Sequence, residues 1–168
     1  MSTKIEALVS EIKEMQSKFR EQGQELIREA FKEFFQNYPN VKSIWWEQYT
    51  PYFNDGEPCE FSRHDAHFYL ESFSSPELEK YCEDHFNDSS YEGHELALGR
   101  LITRPSYYKD TPVIEVSDDE VSCYNAFNQL IKCLWARELE SLFQDLFSDH
   151  VRVIVTRSGV ETEEVEHD

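Results

Sequence analysis

The stretch IWWEQYTPYFNDGEPCEFSRHDAHFYL, which is residues Ile44–Leu70, is the segment around which the predicted fold is organised. Polar and apolar side chains alternate on both sides of its centre, and this period of two is typical of β-strands. The centre holds Asn54-Asp55-Gly56, a turn signal because asparagine and glycine tolerate positive φ angles. The sequence therefore predicts a β-hairpin over residues 41–70, whose second strand runs from Cys59 to Leu70.

A long helix is predicted before this hairpin, over residues 2–37. In its first half, apolar residues from Ile5 to Phe19 recur at alternating spacings of three and four, the pattern of a coiled-coil seam. Gly23 interrupts the pattern, and a broader apolar stripe follows until Pro39 ends the helix. We expect the seam of Ile5–Phe19 either to protrude and pair with another copy or another protein, or to pack against the later helix Asp118–Phe147.

That later helix is predicted over residues 117–147, where Ser117 and Glu120 form a capping box. Residues 151–167 then read as a second hairpin, with a tight turn at Ser158-Gly159. Its last strand is so acidic that it suits a sheet edge, where charge opposes aggregation. The sequence thus predicts a single α+β domain over residues 1–168, in which an antiparallel sheet from two β-hairpins packs against two long amphipathic helices.

The charge of the chain is strongly negative and unevenly distributed. Its 34 acidic and 16 basic side chains give a formal net charge of −18 at pH 7, and residues 1–40 hold 7 of those acidic and 6 of those basic residues. Direct binding to a phosphate backbone requires cationic contacts and is therefore disfavoured. A basic protein partner, mimicry of nucleic acid, or plain solubility would each account for such a charge.

Cysteine spacing and hydropathy bear on the compartment. The four cysteines, Cys59, Cys82, Cys123 and Cys133, show no paired CxxC spacing. The chain starts without the apolar segment of a signal peptide, and it has no apolar run near the roughly 20 residues that span a bilayer. We therefore expect a cytoplasmic protein that does not enter a membrane and whose thiols are reduced.

Two segments, TPYFNDGEPC at Thr50–Cys59 and FSDHVRVIVTRSGVETEEVEHD at Phe147–Asp168, resemble parts of small acidic proteins of tailed bacteriophages that carry no assigned function. The likeness covers the first hairpin and the C-terminal part of the chain. It implies a viral protein made in the host cytoplasm, and it brings no catalytic residues. Small acidic phage proteins often bind host proteins, including defence nucleases, so the resemblance implies a host partner.

A metal site is the main chemical alternative. Cys59 and His67 share one face of the predicted strand, because side chains alternate with a period of two. Cys82 and His85 are one helical turn apart, and four such ligands could hold zinc. Nothing else in the sequence selects these four, and a half-buried cysteine with surface histidines is the simpler interpretation. No cofactor other than this zinc is indicated, and neither a nucleophile elbow nor a glycine-rich phosphate loop is present.

The residues predicted to contact a partner are aromatic and acidic side chains of the first hairpin together with the acidic tail. Tryptophan and tyrosine dominate binding hot spots, although aromatic residues in strands more often belong to the core. The predicted partner-binding residues are Trp46, Tyr49, Tyr52, Asp55, Glu57, Glu161, Glu163, Glu164 and Glu166.

The leading hypothesis is a non-enzymatic binding protein of phage origin that modulates or inhibits a basic or nucleic-acid-binding protein of the host or the virus. Mimicry of nucleic acid, which would block a nuclease or a similar enzyme, is the second form of this hypothesis. Two other classes stay open at this point. One is a small metal-dependent enzyme that uses Cys59, His67, Cys82 and His85, and the other is a structural virion component that assembles through Ile5–Phe19.

Overall fold

The computed structural model describes residues 2–52, 56, 58–86, 93–103 and 111–166. Within these residues the predicted α+β class is confirmed, with five α-helices and five strands of one antiparallel sheet. The elements in chain order are α1 (Ser2–Asn37), β1 (Val41–Tyr49), β2 (Ser62–Arg63), β3 (His67–Leu70), α2 (Pro76–Phe86), α3 (His94–Thr103), α4 (Asp118–Leu134), a 3-10 turn (Arg137–Leu139), α5 (Glu140–Phe147), β4 (Val151–Thr156) and β5 (Gly159–Glu164).

Strand β1 is the centre of the sheet. It pairs with β4 along one side and with both β2 and β3 along the other, all antiparallel, and β5 lies outside β4 as the predicted acidic edge strand. The turn between β4 and β5 consists of Arg157 and Ser158, because the pair Thr156–Gly159 closes the hairpin. The predicted turn at Ser158-Gly159 is therefore wrong by one residue.

The second strand of the first hairpin is not continuous, which corrects the prediction of one strand from Cys59 to Leu70. It is divided into β2 and β3 by the irregular residues 64–66. The carbonyl of His64 accepts a hydrogen bond from the Trp135 indole at 3.0 Å. The end of α4 therefore meets this edge of the sheet where the strand is broken.

The predicted single helix over residues 117–147 is also wrong, although both its ends are confirmed. The capping box of Ser117 and Glu120 starts α4, and α5 ends at Phe147. Between them the helix breaks after Leu134, and the guanidinium of Arg63 donates to the carbonyls of Leu134 (2.6 Å) and Ala136 (3.0 Å). Arg63 thus bonds the Leu134 carbonyl at the end of α4 and the Ala136 carbonyl, which also accepts a hydrogen bond from the Leu139 backbone in the 3-10 turn.

The core lies between one face of the sheet and the helices α1, α4 and α5, and α2 and α3 add buried residues such as Leu78 and Leu98 to the same cluster. Trp46 is its centre, since its ring stacks on Phe31 with centroids 5.7 Å apart and meets Trp135, Phe143 and Phe147 edge to face. The broad apolar stripe predicted for the second half of α1 supplies Phe31 and its buried neighbours. Gly23 does not interrupt the helix, and a Cβ there would overlap the Leu142 side chain, so its small size permits a close approach of α5.

The first half of α1 stands clear of this core. Every side chain from Lys4 to Gln22 is exposed, including the apolar residues of the seam. The alternative in which the seam packs against the later helix of the same chain is therefore wrong. No helix in the described parts of the chain combines the length and the apolar character needed to cross a membrane.

Candidate partner-binding surface

The sheet face opposite α1, α4 and α5, which we call the open face, carries the candidate site. The alternation in β4 shows the two faces, because Val151, Val153 and Val155 are buried against the helices while the residues between them are only half buried. Through the β1–β4 and β4–β5 registers, the open face takes Glu47, Arg152 and Glu163 in one row.

Trp46 does not belong to this face, and its predicted role as a partner contact is wrong. The side chain is completely buried, and its indole nitrogen donates to Gln48 Oε1 at 3.0 Å inside the core. Trp45 points to the open face, but it is covered by His67, whose ring centroid lies 4.6 Å away, and by the Arg152 guanidinium at 4.9 Å. Neither tryptophan is a binding anchor.

Four aromatic rings form a row at one end of the open face. The ring of Tyr49 stacks on His64 with centroids 4.2 Å apart and lies 6.4 Å from His150. Tyr52 stacks on His150 at 4.6 Å and is 70% exposed. We call these four residues the ring row. Two of them, Tyr49 and Tyr52, were predicted partner contacts, and the structure brings them together through a histidine that the sequence did not single out.

Asp149 fixes the ring row in place. Its carboxylate accepts hydrogen bonds from the Thr50 backbone (2.8 Å), from the Thr50 hydroxyl (2.6 Å) and from the His150 backbone (2.9 Å), and so ties the end of β1 to the start of β4. Burial by itself would raise the pKa of Asp149, but these hydrogen bonds outweigh it and lower the pKa below its usual range. The Asp149 carboxylate is therefore ionised at neutral pH.

The acidic residues predicted as partner contacts are divided between the two faces of β5. Glu163 lies opposite Arg152 and Glu161 opposite Ile154, which places both on the open face, whereas Glu164 lies opposite Val151 and turns away. All of β5 is exposed, and so is Glu166 beyond its end. The Val165 backbone donates to the His150 carbonyl at 2.9 Å, so the acidic edge strand lies beside the ring row.

Arg152 is the cation between the buried and the exposed carboxylates. It donates to Glu47 Oε1 through Nη2 at 2.6 Å and through Nε at 3.2 Å. Glu47 is almost completely buried, so this pair neutralises a charge inside the protein. Glu161 and Glu163 present the outer negative charge of the open face.

The structure does not bring the predicted zinc ligands together. Cys59 is exposed, whereas Cys82 is buried in the core, where burial raises the pKa of its thiol to about 12. His67 Nδ1 is bonded to Glu95 Oε1 at 2.6 Å. Over the residues that the structure describes, no three histidine, cysteine or acidic side chains lie close enough to hold a metal, and the predicted ligands Cys59, His67 and Cys82 are not gathered. The side chain of the fourth, His85, lies outside the described residues.

Two predicted partner contacts, Asp55 and Glu57, also lie outside the described residues.

His64, Asp149 and His150 were missed because the ring row and the Asp149 hydrogen bonds that hold it are built across strands. The pairing of β1 with β4, which joins residues about a hundred positions apart, brings Asp149 and His150 to the end of β1, and the pairing of β1 with β2 brings His64 there. Nothing in their local sequence marks them.

The chemistry of the open face suits a cation. Exposed aromatic faces attract ammonium and guanidinium groups, and nearby carboxylates accept their hydrogen bonds.

No protein-family model matches the chain, and neither a curated protein nor a solved structure matches it.

Proposed function

We propose that this chain is a non-enzymatic binding protein that recognises a basic segment of a partner protein through the open face of its sheet. The observation that carries the proposal is that the ring row, whose member Tyr52 is 70% exposed, lies beside the end of the exposed acidic strand β5, where the Val165 backbone donates to the His150 carbonyl. Such a surface offers stacking contacts and ionic contacts to the basic side chains of one segment.

The energy of such contacts is modest for each pair and larger for the group. An exposed cation–π contact contributes about 0.5–1 kcal/mol, and an exposed ion pair about 0.2–1 kcal/mol. A segment with several basic residues would make several of these contacts at once. The net charge of −18 would also raise the association rate of a basic partner at low salt.

The edge position of β5 adds a backbone contact to this proposal. Within the described residues β5 pairs only with β4, so the outer backbone groups of this strand face away from the sheet. An extended segment can add to such an edge as a further strand. Glutamates on the edge would favour a basic segment and oppose an acidic one.

The identity of the partner belongs to the same proposal. The resemblance to small acidic phage proteins supports a host protein, and the free thiols of all four cysteines support a reducing compartment such as the host cytoplasm. Mimicry of nucleic acid is the second candidate function. It draws on the same carboxylates, because Glu161 and Glu163 would recur on one face at about 6.8 Å, twice the rise of a strand.

The test is the affinity for a defined lysine- and arginine-rich peptide, measured by fluorescence anisotropy. We expect Glu161→Gln/Glu163→Gln to weaken binding about tenfold, because two carboxylates of the open face are lost. Tyr52→Ala should weaken it about threefold, because one exposed cation–π contact is lost. Thermal unfolding should stay unchanged, since these side chains are exposed.

The matched control is Glu29→Gln/Glu33→Gln on α1, which removes the same charge from exposed positions away from the sheet. If both double variants weakened peptide binding equally, the affinity would depend only on net charge, and the open face would be refuted as the site. For mimicry, the wild type should compete with duplex DNA for a nucleic-acid-binding protein, and the competition should fall steeply with added salt.

A further inference from the structure

The strongest feature outside the open face is the seam on the first half of α1, formed by Ile5, Leu8, Ile12, Met15 and Phe19. These side chains are 41–64% exposed although all are apolar. They lie on one side of a helix that receives no core packing before residue 23. In proteins most of the stability of a helix comes from packing of its apolar face, and this apolar face is unpacked within the chain.

We propose that two copies of this chain associate through their seams as an antiparallel coiled coil, with Ile12 of one copy against Met15 of the second copy. In this register Leu8 packs against Phe19 of the second copy, and both contacts occur twice. Each of these layers pairs a branched aliphatic side chain with a methionine or a phenylalanine, and such apolar layers suit knobs-into-holes packing.

The charges that flank the seam select this direction and this register. Lys4, Glu11, Lys18 and Glu25 recur every seven residues along one flank, with alternating sign. In an antiparallel pair this flank faces the same flank of the second copy. The proposed register places Lys4 opposite Glu25 and Glu11 opposite Lys18, each pair twice, so all four contacts are attractive.

Other arrangements lose this complementarity. A shift of one heptad toward the helix start places Lys4 opposite Lys18 and Glu11 opposite Glu11, and a shift the other way places Glu11 opposite Glu25 and Lys18 opposite Lys18. In a parallel pair the flank would face Val9, Gln16 and Gly23, which carry no charge. Only the proposed antiparallel register uses every charge.

The length of the exposed helix fits the same register. Ile5 of one copy lies opposite Gln22 of the second copy, so the overlap covers the full exposed part of α1 and stops where the body begins. At that point the structure has an apolar cavity of about 240 Å³ between Phe19 and Gln22 of α1 and the side chains of Leu134, Leu139 and Leu142. In the proposed dimer this cavity receives Ile5 of the second copy.

One intrachain contact changes partner on association. Lys18 Nζ lies 2.8 Å from a Glu14 carboxylate oxygen four residues before it, and both side chains are about two-thirds exposed. An exposed pair of this type contributes little to stability, so Lys18 can turn to Glu11 of the second copy.

Sedimentation equilibrium of the full chain tests the proposal. The wild type should form a dimer of two 20.0 kDa chains. Glu11→Lys alone and Lys18→Glu alone should each weaken the dimer at least tenfold, because each turns two attractive contacts into repulsive ones. An equimolar mixture of the two variants should regain wild-type affinity within about threefold, since every contact between the unlike chains is then attractive.

The matched control is Glu21→Lys, which makes the same charge change on the outer side of the same exposed helix and should leave the dimer unchanged. Circular dichroism would show that each variant stays folded, as expected for exposed positions. A wild type that stays monomeric up to about 1 mM, where only contacts weaker than roughly 4 kcal/mol escape detection, would overturn the proposal. So would a mixture that associates no better than either variant alone.

Discussion

Replacing Trp46 by alanine should lower the free energy of unfolding by about 3–5 kcal/mol. The side chain is completely buried and touches the rings of Phe31, Trp135, Phe143 and Phe147. Removing it opens a cavity where the sheet meets α1 and α5, and it leaves Gln48 Oε1 without its indole donor. Urea unfolding followed by circular dichroism measures the loss.

The matched control for this prediction is Tyr52→Ala, which also removes an aromatic side chain but from a position that is 70% exposed. We expect a change within about 0.5 kcal/mol there, as for most surface substitutions. Trp46→Phe should cost less than Trp46→Ala because the phenyl ring fills part of the cavity. A loss below about 1 kcal/mol for Trp46→Ala would show that this residue is not the centre of the core.

Acid should destabilise the protein through His94, at pH values well above those of ordinary acid unfolding. Burial lowers the pKa of His94 to about 4, and the nearby Lys42 contributes in the same direction. Its Nδ1 accepts a hydrogen bond from the Leu70 backbone at 2.9 Å, which requires the unprotonated nitrogen. This contact and the bond from the Phe68 backbone to Glu95 dock the start of α3 on the outer edge of β3.

The direction of the pH effect follows from the two states. The unfolded chain takes up a proton on His94 below its ordinary pKa of about 6.5, whereas the folded chain does so only near pH 4. The free energy of unfolding therefore contains the full contribution of the neutral histidine above pH 6.5. This contribution is lost as the pH falls toward 4, and the free energy of unfolding decreases by roughly 3 kcal/mol in total.

His94→Asn tests this assignment, because asparagine Oδ1 takes the position of the histidine Nδ1, can accept the Leu70 hydrogen bond and does not titrate. The stability difference between wild type and variant should shrink or reverse between pH 7 and pH 4, as measured by urea unfolding at a series of pH values. The carboxylates of Glu120 and Asp149, whose pKa values are lowered, act in both proteins only at more acidic pH. Parallel pH profiles for the two proteins would contradict the role of His94.

Local signals in the sequence determined several elements almost to the residue. The helix Ser2–Asn37, the capping box at Ser117 and Glu120, and the acidic edge strand were all predicted, because each depends on spacing within one segment. The exposed seam was also readable, since its period of three and four differs from the broad stripe that follows. What remained open was whether the same chain or another one covers it.

Tertiary contacts decided the rest. Alternation placed Trp45 and Trp46 on opposite faces, but only the packing of α1 and α5 made Trp46 the buried centre. At the break after Leu134, the Leu134 carbonyl accepts a hydrogen bond from Arg63, which lies 71 residues away in the sequence. Helix propensity at Leu134 contains no sign of that contact.

The candidate site shows the same division. The sequence determined its ingredients, the tyrosines of the first hairpin and the glutamates of the tail, and it determined the charge that favours a basic partner. Only the pairing of β1 with β4 placed Tyr49 and Tyr52 against His150, beside the acidic edge strand. Side-chain type and local spacing are properties of a segment, whereas a surface built across strands depends on a register that forms only when distant segments pair.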